Sequence, residues 1–236
     1  MISRYVRGSM VLAATALLVS ACAPSTSEPT PARTLRAFHT FVGPHVSPPP
    51  EFGAYAIVAF PQRAQPDTRA RYQMLCEAFL ATRPDGPDPS TTEAAAEDRM
   101  VTVWPVASER RAAELRDRSD SAAACRVATR DYHLPSGFSA IRQANAGNLD
   151  IANRGPFLLA WAPASEKGRP AARVVRADLS RVRTEREARQ VFEAWRDDIE
   201  TRPELWQGGW SAADLRRIVD GWIEIGGRPV LAFTGQ

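Results

Sequence analysis

An α/β domain, with a mixed β-sheet of about five strands and helices packed on it, is what the sequence predicts for residues 51–236. Three observations carry the prediction. Short apolar runs of strand length recur at 54–60, 100–106, 156–162 and 173–179; stretches with a 3.6-residue apolar period lie between and after them; and about 186 residues suffice to bury a substantial core.

The elements follow in order. Ala54 to Phe60 (AYAIVAF) reads as a buried strand closed by Pro61. Asp67 is placed to cap a helix whose apolar face is Tyr72, Leu75, Cys76, Phe79 and Leu80. After a loop from Arg83 to about Glu93, Met100 to Val106 (MVTVWPV) forms a second strand. Ser108 then starts a helical stretch, broken near Asp117 to Asp120, that carries Cys125. Tyr132 to Arg154 is weakly patterned, with a short helix around Phe138 to Ala144. Pro156 to Ala162 and Arg173 to Leu179 read as a hairpin joined through the turn residues Glu166 to Pro170. Thr184 and Glu187 form a capping box for a helix with Ala188, Val191, Phe192, Trp195 and Ile199 on one face, ended by Pro203. Ser211 and Asp214 open another, which buries Leu215, Ile218, Val219, Trp222 and Ile225 and stops at Gly226-Gly227. Val230 to Phe233 supplies a last strand, giving the order β-α-β-α-β-β-α-α-β.

The N-terminus has a different character. Arg4 and Arg7 precede an apolar run, Met10 to Val19, that is too short to span a bilayer, and Val19-Ser20-Ala21-Cys22 follows directly. This segment resembles the signal peptide of bacterial lipoproteins, with a lipobox. The resemblance implies removal of residues 1–21 and a diacylglycerol on the Cys22 thiol. It also implies the outer membrane, facing the periplasm, because Ala23 is not the aspartate of the inner-membrane retention signal. No other apolar stretch approaches eighteen residues, so the expected attachment is through acyl chains, at about 0.8 kcal/mol per buried CH₂. Residues 22–50 then read as the lipidated cysteine and a Pro/Ser/Thr-rich stalk, with seven prolines in 23–50. Within it Leu35, Phe38, Phe41 and Val42 are too apolar for a solvated linker and are expected to dock on the domain or on a partner.

Loss of Arg4 and Arg7 with residues 1–21 takes the formal charge from +3 to +1, which removes the electrostatic case for a nucleic-acid partner. Lys167 is the only lysine against 29 scattered arginines, an imbalance read as the codon bias of a GC-rich genome. Cys76 and Cys125 are expected to pair as a disulfide across 48 intervening residues. A redox pair or a metal site competes with that reading, but there is no C-x-x-C and no histidine within five residues of either cysteine.

Catalytic signatures are missing. Gly137-Phe138-Ser139-Ala140-Ile141 and Gly209-Trp210-Ser211-Ala212-Ala213 each lack the second glycine of G-x-S-x-G, and Ser211 is better read as a helix cap. His133 and Ser136 are close in sequence, while His39 and His45 lie in the stalk, and there is no H-E-x-x-H or phosphate-binding glycine loop. Asp178, Asp197, Asp198 and Glu200 could act as a glycosidase pair only at the right separation in space. No catalytic residue, metal ligand or cofactor is therefore predicted. The one unusual constellation is aromatic: Trp195, Trp206, Trp210 and Trp222 fall within 28 residues. Trp195 and Trp222 read as core. Trp206 and Trp210, flanking Gln207-Gly208-Gly209, are the candidate binding surface, against a reading in which they pack the hinge between helices. The expected function is a lipid-anchored, non-catalytic binding or scaffolding module, held to the membrane by its lipid and binding an envelope protein or glycan. The alternative is an envelope-directed hydrolase acting on a glycan or ester.

Overall fold

A computed structural model describes residues 34–44, 52–83, 95–146, 155–220, 222, 224–225 and 230–233. Cys22 and the proposed signal peptide lie outside the described residues. Six strands form one mixed sheet: β1 (Arg36–Val42), β2 (Ala54–Ala59), β3 (Arg99–Pro105), β4 (Phe157–Trp161), β5 (Val175–Asp178) and β6 (Leu231–Phe233), in the spatial order β1-β3-β2-β4-β5-β6. β3 is parallel to both β1 and β2; β4, β5 and β6 add on antiparallel, the first two of them as the expected hairpin. The helices are α1 (Arg69–Ala81), α2 (Glu109–Arg116), α3 (Ser121–Arg130), α4 (Leu134–Ala146), α5 (Glu185–Thr201) and α6 (Ala212–Val219).

The sixth strand is β1, inside residues 22–50, which the sequence predicts to be a stalk. Its residues alternate between faces, as strand geometry requires: Leu35, Ala37 and Phe41 join one core, Phe38 and Val42 the other. The apolar residues of that stretch thus dock on the chain's own domain. An edge strand presents unpaired backbone groups, and here side chains satisfy several of them. Glu200 of α5 accepts from Ala37 N, Arg116 of α2 donates to Phe41 O, and Glu109 accepts from Gly43 N at 2.9 Å.

Both faces of the sheet are buried. The first is packed by α1, α3 and α5, with Leu75, Phe79, Ala128, Val191 and Phe192 set against Ala56, Val58 and Trp104. Cys76 in α1 and Cys125 in α3 are joined as a disulfide with Cα atoms 5.5 Å apart. The second face carries Phe38, Tyr55, Ile57, Val103, Leu159 and Trp161, covered by Ala140, Ile141 and Ala144 of α4 and by the segment 162–174.

Local signals account for most helix starts. Ser108 caps α2, Asp120 caps α3, and full capping boxes form at Thr184/Glu187 and Ser211/Asp214. At α1 the cap position is Thr68, not the expected Asp67, and Thr68 Oγ1 bonds back to Gln65 instead of to the helix. α6 ends at Val219, seven residues before Gly226. Trp222 and Ile225 are nonetheless buried, packing as irregular chain.

The candidate binding surface at Trp206 and Trp210 is not a surface. Both indoles are buried, and they continue an edge-to-face series from Trp222 through Trp195, with ring centroids 5.1 to 5.9 Å apart. Each ring nitrogen has its acceptor: Trp206 Nε1 donates to Asp198 Oδ2 at 2.8 Å, Trp210 Nε1 to Leu205 O at 2.7 Å, and Trp195 Nε1 to Thr102 Oγ1 at 3.1 Å. A buried indole is held where its N–H can be paired, and the 3₁₀ turn at Pro203–Leu205 supplies that geometry.

Candidate functional site

A recess of about 240 Å³ opens on the second face, beyond the carboxyl ends of β1 and β3 and beside the first turns of α4. Ligand sites in open α/β sheets favour the carboxyl ends of parallel strands. Val42 and Gly43 from β1, Pro105 from β3, and Tyr55 and Ile57 from β2 form its floor and one wall. His133, Ser136 and Ser139 supply another wall, and Lys167 reaches in from the β4–β5 connection.

Several bonds fix that wall. The chain after β3 pairs with the chain before α4 through an antiparallel bridge, Val106 to Tyr132, and His133 N donates to Pro105 O at 3.0 Å. The Tyr132 hydroxyl accepts from Phe60 N at 3.1 Å and donates to Val58 O at 2.9 Å, continuing the ladder of β2 beyond its pairing with β3. Burial pushes this phenol's pKa upward, so it stays a neutral donor. α4 crosses directly over that hydroxyl at Gly137, where a Cβ would stand 2.4 Å from Tyr132 Oη and 3.0 Å from Phe60 O. Only glycine permits the approach that brings Ser136 and Ser139 to the recess.

The ionisable groups of the recess are unlike those of the core. Lys167 Nζ lies 5.8 Å from the ring centroids of both Tyr55 and Trp161, a cross-strand pair on β2 and β4. Such placement over aromatic faces is favourable for a cation, by about 0.5–1 kcal/mol at exposed sites. It does not replace lost water entirely, and burial lowers the lysine's pKa. Among the described residues no aspartate or glutamate lines the recess, and neighbouring Glu166 pairs with Arg169 at 2.9 Å. Gly168, at φ +85°, turns the chain directly after the lysine. His133 Nδ1 and Ser136 Oγ are 2.8 Å apart. Ser139 and Tyr55 make no side-chain hydrogen bond among the described residues, and burial raises the Tyr55 pKa.

The residues weighed from sequence are scattered by comparison. Asp178 accepts from Ser180 N, Asp197 from Arg196, Asp198 from Trp206 and from Arg202, and Glu200 from Ala37 N. None of the four carboxylates lines the recess, so no glycosidase pair is assembled there. His39 is buried in the first core, its Nδ1 2.9 Å from Phe79 O and its ring stacked on Phe79 at 4.8 Å. Among the described residues no three His, Cys, Asp or Glu side chains are grouped to hold a metal ion, and no helix is long and apolar enough to cross a membrane. In the sequence, His133, Ser136 and Ser139 stand out only as possible parts of a nucleophile site, and Lys167 only as a base-composition effect. The available signal was that the chain's single lysine sits beside a glycine in a hairpin connection. Comparison with known proteins returned no match to a family model, a curated protein or a solved structure.

Proposed function

We propose that the chain is a lipid-anchored protein of the bacterial cell envelope whose α/β domain is a non-catalytic binding module facing the periplasm. The attachment rests on Arg4, Arg7, the apolar run 10–19 and Cys22. The observation that carries the binding reading is the recess itself, a pre-formed cavity lined by a lysine, a histidine and hydroxyls. The test has two arms. In a bacterial host, the wild-type protein should incorporate labelled palmitate and fractionate with the outer membrane, while Cys22→Ser should do neither. In-cell crosslinking should capture a defined envelope protein or glycan with the wild-type domain. Palmitate labelling unchanged by Cys22→Ser would overturn the anchor, and the absence of any specific crosslink would overturn the binding role.

The hydrolase alternative has one observation in its favour, the Ser136 Oγ to His133 Nδ1 contact at 2.8 Å. A fluorophosphonate probe decides it: stoichiometric labelling of Ser136 that is abolished by His133→Ala would make the recess an active site.

A further inference from the structure

The recess holds a cation and donors that the protein leaves without partners. Lys167 makes no ion pair among the described residues, and its contacts are the faces of Tyr55 and Trp161. Ser139 and Tyr55 line the same space, and their hydroxyls are not consumed by acceptors among the described residues. Ser136 and His133 border the same space and are hydrogen-bonded to each other at 2.8 Å. Val42 and Ile57 supply an apolar floor. A half-buried cation with unused O–H donors, and no carboxylate among the described lining residues, favours a ligand that brings a negative charge and acceptor oxygens, because such a group restores to the lysine what burial took away. The space is also smaller than the 300–1,000 Å³ usual for drug-sized ligands, which fits a compact head group or the terminus of a larger molecule.

We propose that this recess is the ligand site of the module, and that it takes a compact oxyanion, a carboxylate or phosphate, held by Lys167 Nζ and the Ser139 and Tyr55 hydroxyls, with its less polar part against Val42 and Ile57. The proposal deepens the binding reading by naming its ligand chemistry, and it is independent of the lipid anchor. The compact ammonium of Lys167 offers three rotatable donors above the rings of Tyr55 and Trp161.

Because Lys167 is the only lysine, full-length protein grown with ε-¹³C-lysine gives a single side-chain NMR signal that reports the site directly. The mature chain, purified in detergent, is titrated with inorganic phosphate, with acetate and with chloride at matched ionic strength. The expected result is a saturable shift with phosphate or acetate, at a Kd of about a millimolar for ions of this size, and none with chloride. Whichever ion saturates identifies the head group. Ser139→Ala should weaken that binding about tenfold, as loss of a hydrogen bond to a charged group does, with a similar loss for Tyr55→Phe. A shift that is identical for all three salts, or a saturable shift that neither variant alters, would overturn the proposal. Failure here with an intact wild-type crosslink in cells would leave the binding module standing with a different site.

Discussion

The two faces of the sheet are built by opposite rules. On the face packed by α1, α3 and α5, the described aromatic contacts are ring on ring. Phe79 alone touches His39, Phe41, Trp104 and Phe192. On the face under α4, the described contacts of aromatic rings are with cations: Arg99 over Phe52, Lys167 over Tyr55 and Trp161, Arg176 over Phe157. The indole nitrogens of Trp195, Trp206 and Trp210 are paired and that of Trp161 is buried without a partner, although His39 Nε2 and Thr129 Oγ1 on the first face are also unpaired. A face of interlocked rings supplies stability; a face bordered by long cationic side chains keeps charge at the edge of an apolar layer, where a ligand can reach it.

The comparison breaks most readily at Phe79. Phe79→Ala should cost about 3–5 kcal/mol in chemical denaturation, whereas Ile141→Ala, on the thinner α4 layer, should cost about 2 kcal/mol because the edge of that layer can collapse. Equal losses would mean that the faces share the stability evenly. Next comes the covalent tie on the same face. Replacing Cys76 and Cys125 together by alanine should cost about 2–4 kcal/mol, read as a fall in Tm of roughly 5–15 °C, and leave the recess unchanged.

The third prediction concerns acid. Burial pulls His39 from 6.5 down to about 4, so the folded state holds it neutral while the unfolded chain binds a proton below pH 6.5. The stability it contributes is therefore full above pH 6.5 and is lost as pH falls from 6.5 to 4, by on the order of 3 kcal/mol. His39→Phe should flatten this part of the pH profile of unfolding free energy; an unaltered acid limb would assign the sensitivity elsewhere. The smallest effect, and the one of opposite sign, is expected at Lys167. Its charge is disfavoured by folding, so Lys167→Met should leave stability unchanged or raise it by up to about 1 kcal/mol at neutral pH. A loss larger than about 1 kcal/mol would make the lysine part of the scaffold and unite the two faces under one rule.

What could be read in advance follows from how local each signal is. The capping boxes at Thr184 and Ser211 involve residues three apart, and the apolar stripe of α5 repeats over 17 residues, so both were legible. The Cys76–Cys125 pair followed from cysteine counting. β1 was not legible as a strand, because its partner β3 lies about sixty residues away and Phe38, Phe41 and Val42 are spaced almost as a helix would space them. Trp222 and Ile225 misled in the same way: they keep helical spacing beyond Val219, where the helix has ended. The recess combines residues from a strand, a helix start and a hairpin connection, a juxtaposition that no window of sequence contains.

The position of β1 also carries a consequence for how the domain comes into being. Chains are synthesised from the N-terminus at about 5–20 residues per second, so β1 emerges several seconds before the β3 segment to which it hydrogen-bonds. During that interval Phe38, Phe41 and Val42 have nowhere to go, and the loop that must close is long enough to slow pairing further. The first of the described strands to be made thus waits for the third, and until β3 emerges its apolar side chains are open to a chaperone.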